Sequence, residues 1–342
     1  MNFYYLLIMG VKISELVDKR DLKWDELNGK TLSVDASNVI FQFLSSIRQQ
    51  DGTALMDENG NVTSHLVGLF SRVPNLLQKG ITPVFVFDGV APHLKEKVRE
   101  KRREAKDKAF DKYNQAMVRE DTEGSSKYAK QLTFVNTKMF DESMELLNAL
   151  GLPVVQAPSE AEAQCAYMVK KKLVWASASQ DYDSLLFGAP KLVFNLTLSQ
   201  KRKITGGKYV FIAPYLVELK DVLEKNNLTQ DQLIILGILI GTDYNPGGVN
   251  GIGPKKALKL LHETKKFEDI FSKLETDFDW EEIFETFKKI PVEDVVLKKE
   301  RLDEEKVKSI LVDEHDFSLE RVESTLEKLK GLKPKDSLSK WF

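Results

Sequence analysis

Five short runs rich in β-branched, aromatic or small apolar residues are spaced along the first 200 residues, and helical patterns fill most of the gaps between them. The runs are residues 31–34, 84–87, 153–155, 174–177 and 192–194; the helical patterns lie near 37–48, 64–79, 134–150 and 159–172. Strands alternating with helices predict an α/β fold, a mainly parallel central sheet with helices on both faces, because a parallel connection must cross over the sheet. Sites in such sheets gather at the carboxyl ends of the strands. At 342 residues the chain is long enough for two domains or one elaborated domain with a substantial core.

Composition narrows the chemistry. Cys165 is the single cysteine, which excludes an internal disulfide framework and a cysteine-rich zinc module. The four histidines, His65, His93, His262 and His315, have no zinc-site spacing. The net charge of -2 hides an asymmetry: residues 93–130 carry net +4 and residues 265–305 net -6. The opening MNFYYLLIM is apolar but far short of the roughly 20 residues of a membrane span. It lacks a basic region and a small-residue cleavage site, so an intracellular, reducing compartment is expected and Met9 is a candidate true start.

Acidic residues recur where the strands stop. Asp35 follows the first run and Asp88 the second; Glu160 and Glu162 open the helix after Ser159; Asp181 and Asp183 follow the fourth run; Asp243 ends an apolar helix. Taken singly, each has a bland reading. Asp35 and Asp88 suit caps or turns, Asp181 and Asp183 suit a short helix start, and Glu162 has capping-box spacing to Ser159. On one edge of a parallel sheet, however, seven carboxylates repel one another unless cations neutralise them. An oxygen-only donor set suits Mg²⁺ or Mn²⁺, and seven acids exceed the needs of one Mg²⁺. Two such ions stabilise the attacking and leaving oxygens of a phosphoryl transfer and activate a water.

The motifs VDAS at 34–37, VFDG at 86–89, APSEAEAQCA at 157–166, SQDYD at 179–183 and GTDY at 241–244 resemble, in order and spacing, those of the flap endonuclease/XPG family of 5′ nucleases, archaeal type. The resemblance runs from about residue 10 to the C-terminus. It implies a PIN-like 5′-nuclease fold with a helical arch insertion and a helix–two-turn–helix DNA-binding element. The implied activity is Mg²⁺-dependent, structure-specific cleavage of branched DNA bearing a 5′ flap, in replication and repair, with 5′–3′ exonuclease activity and 5′-phosphate products. It assigns Asp35, Asp88, Glu160, Glu162, Asp181, Asp183 and Asp243 as ligands of two Mg²⁺, replaceable by Mn²⁺. Lys95 and Arg102 become the catalytic cations of the arch, with Arg99 and Lys106 on the same helical face. On composition alone that face reads as solvated.

Phe41 matches a base-stacking aromatic, against core packing as the alternative, and Arg48 is a DNA-binding candidate on the same stretch. Gly251, Gly253, Lys255 and Lys256, in GIGPKKA at 251–257, match the duplex-gripping turn, with a K⁺ ion expected there; a plain packing turn is the alternative. Residues 201–203, KRK, form a further basic loop, for phosphate or solvent. Leu338, Trp341 and Phe342 resemble a peptide that binds the sliding clamp PCNA, although Lys335 stands where glutamine is usual. The expected organisation is an extension at 1–9, a nuclease core at 10–262 with the arch at 93–130 and the two-turn element at 241–262, a helical part at 263–334 packing on the core, and a clamp-binding tail at 335–342. The free protein is expected to be a monomer acting on nucleoid DNA in the cytoplasm of an archaeal-type cell. A junction or gap nuclease of the same family, a non-catalytic clamp adaptor and a metal-dependent glycosyltransferase are the alternatives; the last leaves most of the acids unexplained.

Overall fold

The computed structural model describes residues 10–49, 51–96, 100, 136–196, 201–203 and 209–331. The arch residues Arg99, Arg102 and Lys106 and the tail residues Leu338, Trp341 and Phe342 lie outside these.

A seven-stranded sheet forms the centre, in the order β1-β9-β6-β5-β2-β3-β4. Its strands are β1 (Arg20–Asp21), β2 (Thr31–Asp35), β3 (Thr82–Phe87), β4 (Val154–Gln156), β5 (Ala176–Ala178), β6 (Lys191–Phe194) and β9 (Tyr215–Glu218). All five predicted strands are present, and β4, β3, β2, β5 and β6 run parallel. The edge pair departs from this pattern, since β9 is antiparallel to β6 and β1 to β9. A separate antiparallel pair, β7 (Lys201–Lys203) with β8 (Tyr209–Phe211), takes in the basic KRK stretch.

The period-two alternation of a strand divides the core. On β3, Phe85 and Phe87 face one side and Val84 and Val86 the other, and the two sets belong to different apolar clusters. The first side is covered by α1 (Ala36–Ser46), α2 (Ser64–Gln78), α3 (Thr137–Ala149), α11 (Glu304–Lys308) and α12 (Leu319–Lys330). The other side meets α4 (Ala161–Lys170). A third cluster, which includes Leu192 of β6 and Val217 of β9, holds α5 (Asp183–Leu186), α6 (Leu219–Asn226), α7 (Gln230–Ile240), α8 (Pro254–Glu263), α9 (Phe267–Phe271) and α10 (Trp280–Lys289). Helix α7, apolar nearly all round, is buried at its centre.

Residues 291–303 have no regular hydrogen-bonded element, yet they are laid along α4. Fully buried Gln164 brackets this strap, donating from Nε2 to the Glu293 carbonyl (2.8 Å) and accepting the Glu293 N–H (3.0 Å). The strap leads into α11, which packs on α3. No helix among the described residues is long and apolar enough to cross a membrane.

Candidate functional site

Because β2, β3, β4 and β5 are parallel, their carboxyl ends share one edge, and the turns beyond them carry six of the seven predicted acids. Asp35 ends β2 and caps α1, its Oδ1 accepting the Asn38 N–H at 3.0 Å. Asp88, just past β3, accepts the Ala161 N–H on Oδ1 (2.8 Å) and the Ser37 hydroxyl on Oδ2 (2.5 Å), and so ties α1, β3 and α4 together. Asp181 accepts the Asn38 side-chain amide on Oδ2 at 2.7 Å. Asp183 accepts the Val11 N–H on Oδ1 at 2.7 Å, which brings the start of the described chain to the same edge. Asp243, the seventh acid, arrives from the turn after α7.

Lys95 lies among these acids. It ends a short 3₁₀ turn, His93–Lys95, and its Nζ donates to Glu160 Oε2 at 2.5 Å and stands 3.4 Å from Asp243 Oδ2. The ammonium also lies 5.7 Å from the centre of the Tyr244 ring.

The expected capping box between Ser159 and Glu162 does not form. The N-cap of α4 is Glu160; Ser159 Oγ instead donates to the Val90 carbonyl (2.8 Å), and Glu162 Oε1 accepts the Ser179 hydroxyl at 3.3 Å. The turn after β3 touches this segment directly. Gly89 donates to the Ser159 carbonyl at 2.6 Å, and a Cβ there would sit 2.1 Å from the Ala157 oxygen. Gly89→Ala will therefore force the Asp88 and Glu160 turns apart and lower stability by about 1–3 kcal/mol, read by thermal or denaturant unfolding.

Asp35, Glu160 and Asp183 are buried. Burial first, and then the neighbouring acids, push Asp35, Glu162 and Asp183 well above the ordinary carboxylate range; the main neighbours are Asp88 for Asp35, Asp183 for Glu162 and Asp243 for Asp183. Burial also raises Glu160, against the pull of Lys95. Burial works against the Lys95 ammonium, but Glu160 and Asp243 outweigh it and hold the group charged. Among the described residues no three acidic or histidine side chains are already arranged around one ion position, and bonds from Ser37, Asn38, Ala161 and Lys95 occupy oxygens of Asp88, Asp181 and Glu160. The donor set is nonetheless all carboxylate, crowded and short of cations, and that chemistry fits hard divalent ions.

Phe41 is half-buried and lies off the core face of α1, which is formed by Val39, Ile40, Phe43 and Leu44. The Arg48 guanidinium braces its own loop, donating to the Gly52 carbonyl at 2.8 Å. Gly251, at φ +73°, and Gly253, the N-cap of α8, both face open space, with Lys255 and Lys256 exposed beside them.

Sequence reasoning missed the groups that orient the acids. Ser37 and Asn38 in the first turn of α1 each hold an acid from another strand. Gln156 donates to the Asp88 carbonyl at 2.6 Å. Buried Asn245 accepts from Thr242 Oγ1 (2.7 Å) and donates to the Ile238 carbonyl (2.7 Å), locking the turn that carries Asp243. Their one signal was adjacency to an acidic motif.

The XPG N-terminal domain profile matches residues 9–109 and the XPG I-region profile residues 151–243. Flap endonuclease 1 of Thermococcus onnurineus is 49% identical over 339 residues, covering 98% of this chain and 99% of the relative. The solved flap endonuclease-1 from Methanococcus jannaschii superposes with a TM-score of 0.75 at 41% identity, covering 94% of this chain and 98% of that one. The catalytic core of Rad2 in complex with DNA substrate follows with a TM-score of 0.68 at 25% identity, covering 91% and 96%. With two family profiles, a near-full-length relative and a shared sheet carrying acids on one edge, this chain belongs to the flap endonuclease family of XPG-type DNA nucleases.

Proposed function

We propose that this chain is a structure-specific endonuclease that hydrolyses one phosphodiester of branched DNA carrying a 5′ flap. The observation that carries the reading is the single carboxylate cluster assembled from four parallel strand ends and the α7 turn, with Lys95 inserted into it. Asp35, Asp88, Glu160, Glu162, Asp181, Asp183 and Asp243 would hold divalent cations, Mg²⁺ or Mn²⁺. Two such ions would supply Lewis-acid stabilisation to the oxygens of the phosphodiester.

The chain's own groups supply the rest. Lys95 reaches the cluster from the foot of the basic segment and can pair with the scissile phosphate, where a fixed cation counters developing charge. Arg102, with Arg99 and Lys106, would extend that positive surface along a single strand. Phe41 offers a half-exposed ring for stacking on an unpaired base. The open N-terminus of α8, with Gly251, Gly253, Lys255 and Lys256, offers backbone N–H groups and charge to duplex phosphates, and the same turn would hold a K⁺ ion. Ser37, Asn38 and Asn245 keep the acids in place.

An end-labelled double-flap substrate tests the reading. Mg²⁺-dependent cutting within a nucleotide of the flap junction is expected. Preferential cutting of four-way or gapped DNA would make it a junction nuclease instead, and tight flap binding without any cut would make it an adaptor. The tail is proposed to dock on PCNA through Leu338, Trp341 and Phe342. Deleting residues 338–342 will abolish clamp binding in calorimetry; retained binding would put the docking surface elsewhere. The proposed setting is nucleoid DNA in the cytoplasm, with the free enzyme monomeric.

A further inference from the structure

The turn that delivers Lys95 to the acids is backed by α10. His93 Nε2 lies 2.6 Å from Glu282 Oε1, and Leu94 packs against the apolar cluster to which α10 contributes Ile283 and Phe287. Phe287 meets the Tyr244 ring edge-on, with centroids 5.0 Å apart and planes at 68°, and is itself packed on Phe187 at 4.9 Å. Tyr244 is buried, and its backbone N–H donates to Thr242 Oγ1 at 3.1 Å, inside the turn that Asn245 locks. The Tyr244 hydroxyl has no hydrogen-bond partner among the described residues, so the ring is fixed by what it packs against.

Lys95 Nζ lies over that ring, 5.7 Å from its centre. An aromatic face attracts an ammonium through its quadrupole at distances up to about 6 Å, and it carries no net charge. The other partners of the ammonium differ in kind. Glu160 and Asp243 hold it as carboxylates, at 2.5 and 3.4 Å, and both belong to the set that would hold divalent cations. A carboxylate shared with such a cation attracts a lysine less, and the added positive charge repels the ammonium. The ring, neutral and seated on α10, stands outside that competition.

We propose that Tyr244 is the positioning residue for Lys95: its ring face is the contact the ammonium keeps when Glu160 and Asp243 release it, and it holds the charge beside the cluster for an incoming phosphate. The proposal rests on the reading of Lys95 as the phosphate-facing cation.

Two measurements on the full chain test it. In single-turnover cleavage of the double-flap substrate at saturating enzyme, Tyr244→Leu is expected to lower the rate about 3–30-fold, and Tyr244→Phe, which keeps the ring, to restore most of it. In a Lys95→Ala background the same leucine substitution is expected to cost less than about twofold, because the group it positions is gone. Equal losses in the two backgrounds would make Tyr244 a packing residue only, and a phenylalanine variant as slow as leucine would move the effect to the hydroxyl; either overturns the proposal. An unchanged rate in Lys95→Ala would end the catalytic reading of Lys95 and the proposal with it.

The second measurement does not depend on cleavage. In protein labelled with ¹³C-lysine, the ε-methylene protons of Lys95, assigned by their loss in Lys95→Arg, are expected upfield of exposed lysines through the Tyr244 ring current. They are expected to stay there when Mg²⁺ is added and to join the exposed lysines in Tyr244→Leu. A wild-type signal at the exposed position in Mg²⁺ would overturn the proposal, and decides the matter if Tyr244→Leu fails to fold. An upfield signal in a protein that never cuts flaps would uphold the contact and refute the nuclease reading alone.

Discussion

Asp181→Ala will lower single-turnover flap cleavage by on the order of 10³-fold or more, while flap binding measured in Ca²⁺ changes by no more than about threefold. The size follows from where the side chain stands. Its Oδ2 is held by the Asn38 amide at 2.7 Å, its backbone N–H donates to Ser179 Oγ at 3.1 Å, and the Gly10 backbone packs so closely that a Cβ there would come within 2.6 Å of the Asp181 Cβ. Two distant parts of the chain, around Asn38 and Gly10, fix the side chain, and Ser179 fixes its backbone. Removing it takes a negative donor from the cluster without touching the surfaces that would grip duplex DNA. Near-normal turnover in the variant would refute its assignment as a ligand. Asn38→Ala probes the same carboxyl indirectly and should cost less, in the range of about 10–100-fold, as expected when a ligand's orienting partner is lost.

Lys95→Ala should slow the chemical step by on the order of 10²–10³-fold in single-turnover assays at saturating enzyme. Its side chain is 20% exposed and its ammonium is paired with Glu160 and Asp243, so it can turn from these carboxyls toward a phosphate without leaving the cluster. Lys95→Arg keeps the charge but loses the compact head, and partial recovery is expected. An unchanged rate in the alanine variant would remove Lys95 from the catalytic list. The substitution also leaves Glu160 and Asp243 without that cation, so the cluster becomes more negative and cleavage by the variant should need less Mg²⁺ for half-maximal rate.

The sheet's parallel centre was legible because β3 and its neighbours are short apolar runs set between helical stretches, and the acids were legible because six follow those runs and Asp243 follows an apolar helix. The antiparallel edge was not. β1 is two polar, exposed residues, Arg20 and Asp21, and exists as a strand only through its pairing with Leu216 and Tyr215. The capping box failed for a similar reason. Ser159 and Glu162 have the required spacing, but Val90, 69 residues upstream, claims the serine hydroxyl and Ser179 approaches the glutamate. Local spacing predicts local bonds, whereas the partners that set the site geometry come from other strands. Ser37 and Asn38 show this most clearly: their types suit a first helical turn, and nothing nearby in sequence says that their side chains reach Asp88 and Asp181.

The carboxylate cluster draws on Val11 at one extreme and Asp243 at the other, with Lys95 and Glu160 between. A growing polypeptide therefore cannot complete the centre until Asp243, at position 243 of 342, has left the ribosome. Fragments that end before Asp243 would lack one wall of that cluster, so cutting is expected only from chains that extend past the α7 turn.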